Sequence, residues 1–121
     1  MFKIQNPKQY DLEERTFKFA KDCREIIKRL PKTTGNFEDG KQLARSSGST
    51  HANYIEANES LSKKDYYHRV KICRKEAKES LSWLRLVDVG GNKDLDKERN
   101  DLIQEATELM KIFGSIIEKG K

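Results

Sequence analysis

Between Ser62 and Val89 the residues Tyr66, Val70, Cys73, Ala77, Ser80, Leu84 and Val87 recur at alternating steps of four and three. Such steps return to one face of an α-helix, and sustaining them over three heptads makes a seam that other helices must cover. Ser62 precedes the seam with Asp65 three residues on, the spacing of a capping box. Gly90-Gly91-Asn92 follows it, and glycine supplies the left-handed residue that a helix C-terminus favours. The spacing predicts a helix over 62–89.

The rest of the chain obeys the same period. A first helix is expected over 11–30, opened by Asp11 with Glu14 three residues later. Its stripe is Leu12, Phe19, Ala20, Cys23, Ile26, Ile27 and Leu30, and Pro31 ends it. A second is expected over 36–59, with Asn36 as N-cap and Leu43, Ala44, Ser47, Tyr54 and Ile55 facing inward. Ser46-Ser47-Gly48-Ser49 falls in its middle: either these small residues admit a close neighbour, or the helix breaks at Gly48. A fourth is expected over 94–119, carrying Leu95, Leu102, Ala106, Leu109, Phe113 and Ile116. No alternating run or Asn-Gly hairpin turn reads as a strand. Four long helices with short connections predict an all-α fold, an antiparallel up-down-up-down four-helix bundle, as a single domain over 1–121.

Composition removes whole classes of function. Of 121 residues, 37% are charged and 35% hydrophobic, and no apolar run approaches the ~18–20 residues of a membrane span. The stretch Met1–Pro7 has no signal-peptide core, so a cytoplasmic protein is expected. Two prolines and seven glycines are too few for a disordered chain. Cys23 and Cys73 make neither a disulfide framework nor a CxxC zinc or redox motif.

Catalytic signatures are scarce. His51 and His68 are the only histidines. Asp65-x-x-His68 has ligand spacing, but a di-iron bundle needs a Glu-x-x-His on each of two helices. Both cysteines fall on apolar stripes, where a thiol acts as a small buried hydrophobe. Gly90-Gly91 is not followed by Lys-Ser/Thr, so it is a turn and no phosphate loop. A non-enzymatic protein without metal or cofactor is expected.

Apolar surface exceeds what one stripe per helix requires. Ile72, Leu81, Trp83 and Leu86 flank the third helix's seam, and Ile103, Met110 and Ile117 widen the fourth's. Either the core face is broad, or Trp83, Leu86, Ile103, Met110 and Ile117 form a subunit interface; in so polar a chain we favour the interface. Polar groups also line up. In an antiparallel hairpin of the second and third helices, positions whose numbers sum to about 122 lie opposite each other. Arg45 then reaches Glu76 or Glu79, and Glu56 reaches Arg69. These are ordinary surface pairs or partly buried pairs that fix register.

The positive charge, net +5 overall, is uneven. Ser62–Val89 holds eight Lys/Arg against four Asp/Glu. Lys64, Lys71, Lys78 and Arg85 recur every seven residues along one side of the third helix, with Lys63, Arg74 and Lys75 nearby. Arg24, Lys28 and Arg29 add charge on the first helix. Such a stripe tracks a phosphate backbone, or is a solvated face. No RNP strand motif or GXXG clamp accompanies it.

The residues Tyr10-Asp11-Leu12-Glu13-Glu14-Arg15-Thr16-Phe17, Arg45-Ser46-Ser47-Gly48-Ser49, Ala52-Asn53-Tyr54-Ile55-Glu56-Ala57 and Lys71-Ile72-Cys73-Arg74-Lys75-Glu76-Ala77-Lys78-Glu79 resemble the bacterial four-helix-bundle proteins known as the 23S rRNA intervening-sequence protein family. The likeness spans residues 9–118. It implies an antiparallel four-helix bundle assembling into a homopentamer, with no agreed catalytic residues. A related branch, the accessory proteins of diversity-generating retroelements, is similar in fold and binds a reverse transcriptase and nucleic acid. The resulting expectation is a homo-oligomeric bundle that binds RNA, DNA or a ribonucleoprotein partner through Lys64, Lys71, Arg74, Lys75, Lys78 and Arg85, with Arg24, Lys28 and Arg29 second. The alternatives are a protein-interaction scaffold and the retroelement accessory role.

Overall fold

The computed structural model describes residues 12–121. Four helices follow one another: α1 (Leu12–Arg29), α2 (Thr34–Asn58), α3 (Lys63–Leu86) and α4 (Lys93–Lys119). No strand occurs among the described residues. Each helix packs against its two neighbours, α1 on α2 and α4, α3 on α2 and α4, and neither diagonal pair approaches. That is the four-helix bundle expected from the heptad seam. The seam residues Tyr66, Val70, Cys73, Ala77, Ser80 and Leu84 are all buried, in a core that also holds Leu12, Phe19, Ile26, Leu43, Leu109 and Phe113.

Small polar residues shape the closest contact. Ser46, Ser47, Thr50 and Ser80 are fully buried, yet each hydroxyl finds a carbonyl one turn back on its own helix. Ser46 Oγ also meets Ser80 Oγ at 2.7 Å across α2 and α3. Polar atoms satisfied locally cost little when buried, and their small volume draws the two helices together. Helix α2 runs unbroken through Gly48, where the Arg24 guanidinium lies 2.9 Å from the place a Cβ would occupy. The inner face of α2 holds Leu43, Ser47 and Tyr54 as expected, with Ser46, Thr50 and Ala57 buried beside them, while Ala44 is half-buried and Ile55 exposed.

Two boundaries differ from those expected, for one shared reason. Thr33, not Asn36, caps α2, its hydroxyl accepting from the Asn36 amide at 3.1 Å. Asn36 is buried and used elsewhere. Its Nδ2 donates to the Pro31 and Asp88 carbonyls at 2.9 and 2.8 Å, and its Oδ1 accepts from the Asp88 amide at 2.9 Å. Held this way, Asp88 cannot continue α3, which ends at Leu86 rather than Val89. The freed α3 carbonyls are taken by Arg99, whose Nη1 donates to Val87 at 2.9 Å and Leu84 at 3.4 Å. Gly90 and Gly91, at φ 65° and 74°, then turn the chain into α4. Asn92 caps α4 through the Asp94 and Leu95 amides. Ser62 caps α3 through the Asp65 amide at 3.1 Å, as expected. The capping role expected of Asp11 lies outside the described residues.

A candidate nucleic-acid interface

Helix α3 sits between α2 and α4, so its two flanks meet different chemistry. On the α2 flank, Arg45 donates to Glu76 at 3.2 Å and to Glu79 at 2.6 Å. Glu76 is 7% exposed, so this is a partly buried clamp that fixes the register of α2 against α3. Hydrogen bonding to Glu76 raises the Arg45 pKa further above its ordinary value. The second expected pair does not form. Arg69 donates to Asn53 Oδ1 at 3.0 Å instead, one turn before Glu56, which is exposed. Asn53 points toward α3, whereas Glu56 lies a turn further round α2, on its solvent side.

On the α4 flank the basic side chains gather. Lys71, Arg74, Lys75 and Lys78 surround one shallow hollow with Ile117 and Lys121. Arg74 also borders a neighbouring hollow lined by Thr107, Met110, Lys111, Gly114, Ser115, Glu118 and Lys119, where Glu118 pairs with Lys121 at 3.0 Å. Lys64 and Arg85 extend the line at either end, and all six expected cations of α3 are exposed. None lies within 4 Å of a carboxylate among the described residues, whereas ion pairs are frequent elsewhere on the surface.

The three cations of α1 are differently placed. Arg29 is paired with Glu98 at 2.6 Å, Lys28 with Glu25 at 3.2 Å, and Arg24 lies along Gly48 with Nη1 donating to the Ala20 carbonyl at 3.1 Å. The structure does not bring these three together with the α3 stripe.

The structure also redistributes the apolar surplus. Ile117 is 6% exposed, a core residue of its own bundle, so the expectation that it offers surface to a partner is corrected. Trp83, Ile103 and Met110 are half-buried against the core. Of the five expected interface residues only Leu86 is broadly exposed, at 62%. The other large exposed apolar side chains among the described residues are Phe17, Phe37, Ile55 and Leu61.

Both cysteines are buried in the core. Burial pushes both thiols up, Cys23 to about 12 and Cys73 to about 12. Cys23 is additionally hydrogen-bonded with Ser47, which offsets part of that rise. His51 Nδ1 meets Thr16 Oγ1 at 2.9 Å, and its ring packs edge-on against Phe17. Asp65 and His68 are both exposed. Among the described residues no three His, Cys, Asp or Glu side chains are grouped to hold a metal ion, and no helix is long and apolar enough to cross a membrane.

Sequence comparison then places the chain. The model of the 23S rRNA-intervening sequence protein family matches residues 8–115. The chain belongs to this family. Among solved structures it is similar to a protein of unknown function from the S23 ribosomal protein family of Bacteroides thetaiotaomicron, with 28% identity and a TM-score of 0.75. That likeness covers 88% of this chain and 97% of the other. Comparison with curated proteins gives no match.

In this intervening-sequence family member, three groups escaped sequence reasoning. Arg15 forms a two-point pair with Glu105, at 2.6 and 3.1 Å, joining α1 to α4. Arg29–Glu98 joins the same two helices, but the two pairs differ by seven in the sum of their positions and no turn links α1 to α4, so no one register in the sequence gives both. Asn36 and Arg99 could not be found from register either, because both bind backbone atoms of loops.

Proposed function

We propose that this 23S rRNA-intervening sequence protein is a non-enzymatic, homo-oligomeric bundle that binds nucleic acid or a ribonucleoprotein through the α3–α4 face. One observation carries the reading. Lys64, Lys71, Arg74, Lys75, Lys78 and Arg85 stand on one helix with no carboxylate within 4 Å among the described residues, on a surface where many other cations are paired. Unneutralised cations in a row attract a polyanion, and releasing its counterions supplies the binding free energy.

Titrating a fluorescent structured RNA at several salt concentrations tests it. Affinity should fall with a log–log slope of about −0.7 to −0.9 per phosphate contacted. The triple variant Lys71→Glu, Lys78→Glu, Arg85→Glu should abolish binding while keeping the helical circular-dichroism spectrum, since all three side chains are exposed. Binding that survives this change refutes the interface. Exposed Leu86, Phe17 and Phe37 support self-association. Light scattering should report a species larger than 14.1 kDa, and Leu86→Glu should reduce it.

A further inference from the structure

We infer that the α3–α4 face takes a nucleic-acid duplex, held through its phosphates alone and without reading base identity. This rests on the nucleic-acid reading above and goes beyond it by naming the form of the ligand. Three observations carry it.

The first is shape. Lys64, Lys71, Lys78 and Arg85 are seven residues apart on an unbroken helix. At 1.5 Å of rise per residue, successive cations stand about 10 Å apart and the row runs about 30 Å. Three seven-residue steps drift about 60° in all around the axis, so the row slants gradually across the solvent side of α3. A duplex is a stiff rod carrying about one phosphate charge per 1.7 Å of axis, along which a straight row can lie. A single strand would have to be straightened against it, at a cost in chain entropy.

The second is the shortage of stacking surface. Proteins that hold single strands recover that cost by stacking bases on aromatic rings, about 1–3 kcal/mol per base. Among the described residues, no ring lines the basic hollow. Tyr66 is buried, and Tyr67 packs edge-on against it at 5.2 Å while its ring closes on Gly120. Trp83 is half-buried two turns beyond Glu76, on the flank facing α2. Exposed Phe17 and Phe37 belong to α1 and α2. His68, at the outer margin of the stripe, is the one exposed ring there among the described residues.

The third is width. Helix α3 is packed along both flanks by α2 and α4. A face two helices wide measures roughly 20 Å. The major groove of B-form DNA is about 12 Å wide and admits a lone helix, and that of A-form RNA is too narrow for side chains to read. The bundle therefore rides on the backbone ridges. Three of the four cations in the row are lysines, point charges without the planar fork that reads a guanine edge.

The test compares three probes by fluorescence anisotropy at equal salt: an RNA duplex of about 20 base pairs, a DNA duplex of the same sequence, and an oligouridylate of equal length. Both duplexes should bind about tenfold or more tightly than the strand, and shuffling the duplex sequence should change affinity by less than about twofold. His68→Ala should leave duplex binding unchanged. Oligouridylate binding as tight as the duplexes overturns the inference and leaves the nucleic-acid reading intact. So does a tenfold loss on shuffling. Failure of all three probes at low salt refutes the nucleic-acid reading itself.

Discussion

Single residues here do two kinds of work, and titration separates them. The Cys23 and Cys73 thiols are pushed up to about 12 by burial, against about 8.5 in an unfolded chain. Above pH 9 the unfolded chain loses these protons while the native one keeps them, so the folded state binds more protons. Stability from this source is complete below pH 8.5 and declines as pH rises from about 9 toward 12. Urea denaturation across that range should show falling midpoints; Cys23→Ser with Cys73→Ala should remove the part of the fall that begins near pH 9 and leave the part above about pH 10, where burial also holds the Tyr54 and Tyr66 hydroxyls protonated. Both native thiols should react slowly with a disulfide reagent at pH 8 and promptly in denaturant. Ser46 tests the other kind of work. Ser46→Ala leaves Ser80 Oγ without its cross-helix partner, and should cost about 1 kcal/mol in chemical denaturation. Ser46→Leu should cost more, because the added volume has nowhere to go between α2 and α3.

At the scale of elements, periodicity decided most and loop chemistry decided the rest. The seam from Tyr66 to Leu84 was legible because spacing alone fixes which side of a helix is covered, and every residue of it is buried. The ends were less legible. Asn36 looks like an N-cap in sequence because asparagine is a good one, but the tertiary fold uses its amide to hold Pro31 and Asp88. No local pattern encodes a partner 52 residues away. The Arg45 clamp was readable from antiparallel geometry, while Arg69 chose Asn53 because side-chain direction, not numbering, decides reach. Asn36→Ala removes three bonds between elements and should destabilise by about 2 kcal/mol, read as a shifted urea midpoint with unchanged slope.

Over the whole molecule, the unpaired cations are concentrated on α3, whereas the exposed apolar side chains are scattered over α1, α2, the α2–α3 turn and, at Leu86, the end of α3 itself. The basic stripe was visible in sequence because a seven-residue repeat needs no tertiary information. The apolar surplus was not, because Ile103, Met110 and Ile117 turn toward their own core, whereas Phe17 and Phe37 had no distinguishing spacing. The two ends of the bundle are also unlike each other. At the end holding the α1–α2 and α3–α4 corners, Asn36 ties one corner to the other, and Pro31 packs 2.8 Å from where a Gly90 Cβ would stand. At the far end, the α2–α3 turn exposes Leu61 at 87%. Amide hydrogens should record that inequality. Exchange in native protein should be fastest near residues 59–65 and slowest in the half of each helix nearest the tied corners. Thermal fluctuation would then part the four helices from one end, as tongs open about their joint.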